Sequence, residues 1–229
     1  MKLRDGWTAV VAMLLAAALA TGRARGGVLF ENAPDLGDTF ATTSDAAQPQ
    51  WSADDFAVAG SGPFAITSVT WWGRFSGLTA PEADTSNFLV ELYAGASGPD
   101  VSPWYRAELG AVTRTLAAVV EGVSIFEFTA TLAAPAVVQA GSTYYFSVFN
   151  DDAIDDPRFA ILWSSTSAAV NPRWFRQNST RDWTRSGSNV NTAFRIEGQA
   201  VPEPSTVVML GTAAALGATA AVRGRRRPS

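Results

Sequence analysis

From Gly27 to Gly198 the apolar residues do not recur at the three-to-four spacing of a helix face. Short runs rich in β-branched and aromatic residues alternate instead with clusters of Gly, Pro, Asn and Asp. Ten runs read as strands: Gly27–Asn32, Asp54–Val58, Phe64–Phe75, Asn87–Ala94, Gly110–Val119, Val123–Leu132, Thr143–Asn150, Arg158–Ser164, Arg173–Arg176 and Thr192–Gly198. This spacing predicts an all-β fold, a single β-sandwich or jelly-roll-like domain over 27–200. Runs such as Tyr144–Phe149 (YYFSVF) are apolar on both parities, the pattern of a central strand covered on both faces. Gly60-Ser61-Gly62-Pro63, Gly98-Pro99-Asp100 and Ala140-Gly141-Ser142 supply turn chemistry between runs. The stretch Ala133–Tyr145 reads as a strand end, a turn and then a central strand.

The two ends follow another pattern. Lys2 and Arg4 precede the apolar run Ala9–Ala20 (AVVAMLLAAALA), with small residues at Ala18 and Ala20 and again at Gly22 and Ala24. Positive start, apolar middle and small-residue site make residues 1–24 a signal peptide. Near the other end, Val207–Val222 holds sixteen residues without a charge. As a helix it would rise ~24 Å, short of the ~30 Å hydrocarbon core. Ser205, Thr206 and a snorkelling Arg223 extend it to a marginal span. Its Ala and Gly content makes it a weak anchor, and Arg223, Arg225, Arg226 and Arg227 would stay on the cytoplasmic side. Pro202 and Pro204 keep the preceding segment extended. The expected topology is a domain outside the inner membrane, a short helix within it and a basic end inside.

Charge sharpens this division. Residues 27–200 carry nine arginines against nineteen carboxylates, while the basic residues otherwise gather at the two ends. An acidic body argues against nucleic acid as a partner. The 229-residue chain has neither cysteine nor histidine. Disulfides, thiolate nucleophiles, Cys/His zinc sites and imidazole bases are therefore excluded, and the domain must be stabilised by core burial. No cofactor is called for.

The end of the chain also carries a resemblance. Val201-Pro202-Glu203-Pro204-Ser205-Thr206, followed by the apolar run 207–222 and the arginines to 227, resembles the PEP-CTERM sorting signal of Gram-negative bacteria. The resemblance implies that Pro202, Glu203 and Pro204 are recognised by an exosortase-type processing enzyme. It further implies transient residence in the inner membrane, then release to the cell surface or an extracellular matrix rich in exopolysaccharide. The same tail is sometimes labelled the C-terminal domain of ice-binding proteins, a name for the tail that does not imply ice binding. Asp54-Asp55-Phe56 with Ile66–Gly73, and Ala193–Gly198 near the close, resemble a β-sandwich domain often carried by such proteins, and no biochemical activity comes with that likeness.

Chemistry within the domain has few candidates. Asp151, Asp152, Asp155 and Asp156 form an acidic loop that offers oxygen ligands to calcium, without EF-hand spacing. A solvated acidic turn is the plainer reading. Trp71, Trp72, Trp163, Trp174 and Trp183 supply faces for sugar rings, with Asn171, Arg173, Arg176, Gln177, Asn178 and Asp182 as polar neighbours. Trp174, Arg176, Asn178 and Trp183 are the sharpest version of a glycan site, weighed against ordinary aromatic packing. Glu91, Glu121 and Glu127 are the carboxylates nearest strands, but no spacing marks a hydrolytic pair. The expectation is a non-enzymatic protein, structural or adhesive in an exopolysaccharide layer, with a carbohydrate-binding module as the alternative and a glycoside hydrolase behind it.

Overall fold

The computed structural model describes residues 26–76, 87–151, 158–164, 173–177, 181–187 and 190–202. The expected signal peptide 1–24 and the expected tail helix 207–222 lie outside these. Among the described residues there is no α-helix, and none long and apolar enough to cross a membrane. The described residues form thirteen strands: β1 (Gly27–Asn32), β2 (Ala41–Thr43), β3 (Gln50–Ala57), β4 (Pro63–Phe75), β5 (Phe88–Ala94), β6 (Tyr105–Glu108), β7 (Val112–Val120), β8 (Val123–Gln139), β9 (Thr143–Asn150), β10 (Phe159–Leu162), β11 (Trp174–Gln177), β12 (Thr184–Arg185) and β13 (Phe194–Ala200).

These build two antiparallel sheets. One runs β1-β13-β4-β10-β2, with β8 also on β4 and β7 on β8; the other runs β12-β11-β3-β9-β5-β6. They face each other across one core. From the first sheet come Val69, Trp71, Phe75, Phe128, Phe194 and Ile196, and from the second Phe56, Phe88, Val90, Leu92, Phe146 and Val148. Aromatic pairs bridge the gap: Phe146 and Phe194 stack at 4.7 Å, and Phe88 meets Phe159 edge-on at 4.9 Å. Such pairs add about 0.5–1.5 kcal/mol beyond the area they bury, which suits a domain without covalent staples.

The pattern-based strands are recovered, β1 and β9 with the expected bounds and the others with shifted ends, and three short strands, β2, β6 and β12, are not among those expected. They are two to four residues long and carry no periodic signal. One strand was cut too early. The expected Val123–Leu132 continues as β8 to Gln139, so Ala133–Gln139 belongs to the strand and only 140–142 turns. Pro135 made this hard to see, because proline removes a ladder donor. It is accommodated where the pairing with β4 slips: Ala136 opposes Ile66, but Thr131 opposes Ser68. Four residues thus face one, and the proline sits in that bulge.

β9 behaves as its doubly apolar pattern requires. Tyr144, Phe146 and Val148 point to the core between the sheets, whereas Tyr145 and Phe149 join Trp51, Ala53, Leu89, Tyr93 and Trp183 on the outer face. The second sheet is therefore buried on both sides, and what covers its outer face forms the candidate site.

Candidate functional site

On β11, Trp174 and Arg176 are two residues apart and share the outer face. The register with β3 puts Trp174 opposite Ala53 and Arg176 opposite Trp51. A small residue opposite Trp174 leaves room for the indole, and the indole opposite Arg176 offers its π-face. Trp183 arrives immediately before β12, which folds back on β11 through Trp174↔Arg185 and Phe175↔Thr184.

Arg176 is 3% exposed. Its guanidinium carbon lies 4.6 Å from the Trp183 ring centroid, 4.8 Å from Trp51 and 5.3 Å from Tyr93. Nη2 donates to Glu91 Oε2 at 3.2 Å and to Tyr93 Oη at 2.6 Å, while Nη1 donates to Val101 O at 3.0 Å. The Tyr93 hydroxyl donates to Glu91 Oε2, and Arg106 reaches Glu91 Oε1 at 3.0 Å. Burial, with the Glu91 charge adding to it, pushes the Tyr93 phenol far above the usual tyrosine range. The network is thus a protonated phenol and two cations around one carboxylate, and three aromatic rings cover Arg176 while Arg106 reaches in from the solvent side.

The same groups pin the loop between β5 and β6. Trp183 Nε1 donates to Asp100 O at 3.1 Å, next to the Val101 carbonyl that Arg176 holds. Asp100 N in turn donates to Ala94 O at 2.8 Å. Between this loop and the two tryptophans lies an open depression of about 390 Å3, lined by Gly95–Val101, Trp174, Asp182 and Trp183. That volume falls in the roughly 300–1,000 Å3 range of small-ligand clefts. Asp100 and Asp182 are exposed, and Trp174 is half-buried.

Gly98 is what lets the loop close on Trp174. Its φ is +154°, and a Cβ there would sit 2.7 Å from the indole Cη2. Gly98→Ala is expected to displace the Trp174 ring and destabilise the protein by about 1–3 kcal/mol. A red shift of tryptophan emission with a lower melting temperature checks this, and unchanged emission would contradict the packing described.

The expected glycan constellation is thus brought together in part. Trp174 and Trp183 line one depression with Asp182. Arg176 does not: it lies beneath the rings and its charge is engaged by Glu91, so it is corrected from a ligand contact to a structural clamp. Asn178 and Asn171 lie outside the described residues. The remaining tryptophans are elsewhere. Trp71 is fully buried between the sheets, Trp72 packs with Ile125, Leu162 and Ala193 in a separate cluster, and Trp163 stacks on Phe40 at 5.2 Å. Of the proposed calcium ligands, Asp151 is exposed with its amide on Asn87 O at 2.7 Å, while Asp152, Asp155 and Asp156 lie outside the described residues. Among the described residues no group of three or more metal-ligating side chains gathers.

The three glutamates considered for glycoside cleavage do not converge. Glu91 is in the outer network of the second sheet; Glu127 pairs with Trp72 and Thr115 in the first; Glu121 is in the tight turn joining β7 and β8, at φ 51°. Trp51, Tyr93 and Arg106 were missed as site residues. For Tyr93 the signal is the doubly apolar character of β5, which says that a face is covered but not by what; Trp51 on β3 and Arg106 on β6 carry no such signal.

A second buried carboxylate lies on the core side. Asp54 is fully buried; it accepts the Thr192 amide and pairs with the Thr192 hydroxyl at 3.2 Å, and its Oδ1 accepts the Asp55 amide at 3.0 Å. Burial, with the neighbouring Asp55 adding to it, pushes its carboxyl up to about 8 against the hydrogen bonds that favour ionisation. Arg173, stacked 5.0 Å over Trp163, is half-buried and is pushed down by the same desolvation, partly offset by the Asp54 charge.

No protein-family model matches the chain, and no match to a curated protein was found.

Proposed function

We propose that this chain is an exported bacterial surface or extracellular-matrix protein, sorted through its tail and structural or adhesive in an exopolysaccharide layer. The observation that carries this reading is the course of the two ends. β1 pairs with β13 from Gly27↔Gly198 to Asn32↔Phe194, so the N-terminal and C-terminal segments join the domain on one neighbouring pair of strands. The Val201 amide still donates to Pro63 O at 2.9 Å, so Pro202-Glu203-Pro204 begins where the sheet ends. A leader can be removed, and a tail cut, without touching the strands that hold the core.

In this reading residues 1–24 direct export, the apolar run 207–222 and the arginines 223 and 225–227 hold the protein in the inner membrane, and an exosortase-type enzyme acts near Glu203. Replacing Glu203 by alanine, or the arginines at 225–227 by serine, should strand full-length protein in the inner membrane fraction. Normal surface release of both variants would remove the reading.

The domain itself acts as a scaffold or adhesin without catalysis of its own. The dispersal of Glu91, Glu121 and Glu127 supports this over a hydrolase, since glycoside cleavage asks for two carboxyl groups within about 5–10 Å flanking one bond. A carbohydrate-binding module is the second reading, favoured by the depression that Trp174 and Trp183 line.

A further inference from the structure

One side of the first sheet ends on β7, a nine-residue strand that pairs with β8 along one edge. Among the described residues no strand pairs with its other edge. A long open edge is a template for another chain, and folds commonly blunt it with lysine or proline. β7 has neither, and its single charge is Arg114. Two apolar side chains stand out from it instead: Leu116 is 55% exposed and Val119 59%.

Three residues apart, these two would point to opposite faces of a regular strand. The register prevents this. Leu116 opposes Phe126 but Ala118 opposes Ile125, so one residue, Ala117, is extra and forms a bulge. Ala118 and Val120 pack on the cluster of Trp72 and Ile125, and Leu116 and Val119 share the other face. Arg114 is on that face too, its guanidinium 4.9 Å over the Phe126 ring. Glu121, exposed in the turn that follows, carries the opposite charge.

A second copy laid antiparallel on this edge is related to the first by a two-fold axis normal to the sheet, which keeps each residue on its own face. With the axis at Ala118, Leu116 of each copy lies opposite Val119 of the other, and Arg114 comes level with Glu121. Both contacts occur twice. An axis at Leu116 would set Arg114 against Val119, and an axis at Val119 would set Leu116 against Glu121. Of the three, the Ala118 register alone matches apolar with apolar and positive with negative.

We propose that β7 is a homotypic docking edge, on which two copies of this chain pair β7 to β7, antiparallel about Ala118, and join their first sheets into one. This goes beyond the sorting and adhesive reading and does not rest on it.

The chain has no cysteine, so an introduced thiol reports the register without background. The test uses the full chain in detergent, carrying Ala118→Cys or Thr113→Cys, oxidised with copper phenanthroline and run on a non-reducing gel. Opposed residues of an antiparallel pair lie ~4.5–5.5 Å apart at Cα, a gap that a disulfide spans. Ala118→Cys should therefore give mostly covalent dimer, and Thr113→Cys, far from the axis, should stay monomeric. Adding Leu116→Lys and Val119→Lys, both at exposed positions, should remove most of the dimer while leaving the melting temperature unchanged. In the Ala118→Cys background, Glu121→Lys or Arg114→Glu should each cut crosslinking at least about tenfold. Mixing those two chains should restore it, because each charge then meets its opposite. Absence of crosslinking through Ala118→Cys would overturn the proposal, and so would equal crosslinking through Thr113→Cys, the mark of unspecific contact. A mixture no better than its components would overturn the Ala118 register. Surface release, the measure of the sorting reading, is unaffected by any of these outcomes.

Discussion

Arg176→Ala is expected to lower the unfolding free energy by about 3–5 kcal/mol, the usual cost of removing one partner from a buried ion pair. The loss does not come from the attraction between Arg176 and Glu91, which is largely offset by the desolvation of both. It comes from what stays behind: Glu91, 1% exposed, keeps the neutral Tyr93 hydroxyl and, as its one remaining cation, Arg106, whose side chain is half in water. Three aromatic rings lose the cation they stack on, and the Val101 carbonyl loses its donor. Denaturant unfolding at neutral pH should show the shift. The double variant Arg176→Met with Glu91→Gln should recover a large part of it, because neither charge is then left unpaired. If Arg176→Ala costs less than about 1 kcal/mol, Arg176 and Glu91 are not shielded from water as described. A full loss in the double variant would say that packing under Trp183, not charge, is what matters.

The second large effect is a pH dependence set by Asp54. Its carboxyl titrates near 3.8 in an unfolded chain and at about 8 in the fold. The folded state therefore holds a proton that the unfolded state has already released, and stability from this group is complete below about pH 4. It is lost as pH rises towards 8, at about 1.4 kcal/mol per pH unit and of order 5 kcal/mol in total. The groups facing Asp54 act both ways: Asp55 opposes its ionisation, while the Thr192 amide and hydroxyl and the Asp55 amide favour it, and burial prevails. Asp54→Asn removes the titration. The variant should gain on the native protein steadily from pH 4 to 8 and hold a constant difference above that. A difference between the two proteins that stays flat across this window would show that Asp54 is already ionised in the fold.

Much of the architecture could be read from the chain because strand pattern is local. The bounds of β1 and β9 coincide with the runs expected there, and the double parity of Tyr144–Phe149 identified a central strand before any neighbour was known. The candidate site was only half legible. Trp174 and Trp183 are nine positions apart and were grouped by proximity in sequence, which the β11–β12 return justifies. Glu91 and Arg176 are 85 positions apart, and nothing in their surroundings marks them as partners. Arg176 consequently looked like a free hydrogen-bonding group beside aromatic rings. The fold instead places it underneath them, because its side of β11 lies against Trp51 of β3 and not against solvent.

The chain by itself determined that the domain is all-β, that it must stand without disulfides or histidine chemistry, and that an apolar run and arginines follow Pro202-Glu203-Pro204. Those are properties of composition and short-range periodicity, which need no partner to be defined. Tertiary structure decided which polar groups are spent and which remain. Asp54 lies in a strand of mixed character (QWSADDFA) and Glu91 in a strand that is otherwise almost wholly apolar (FLVELYA), and neither sequence says what its carboxylate meets. One faces the core and accepts Thr192, where burial keeps its proton; the other faces outward under Trp183 and meets two guanidinium groups. The chemistry of a carboxylate depends on the dielectric and the charges within a few ångströms of it, and those neighbours come together only when the strands pair.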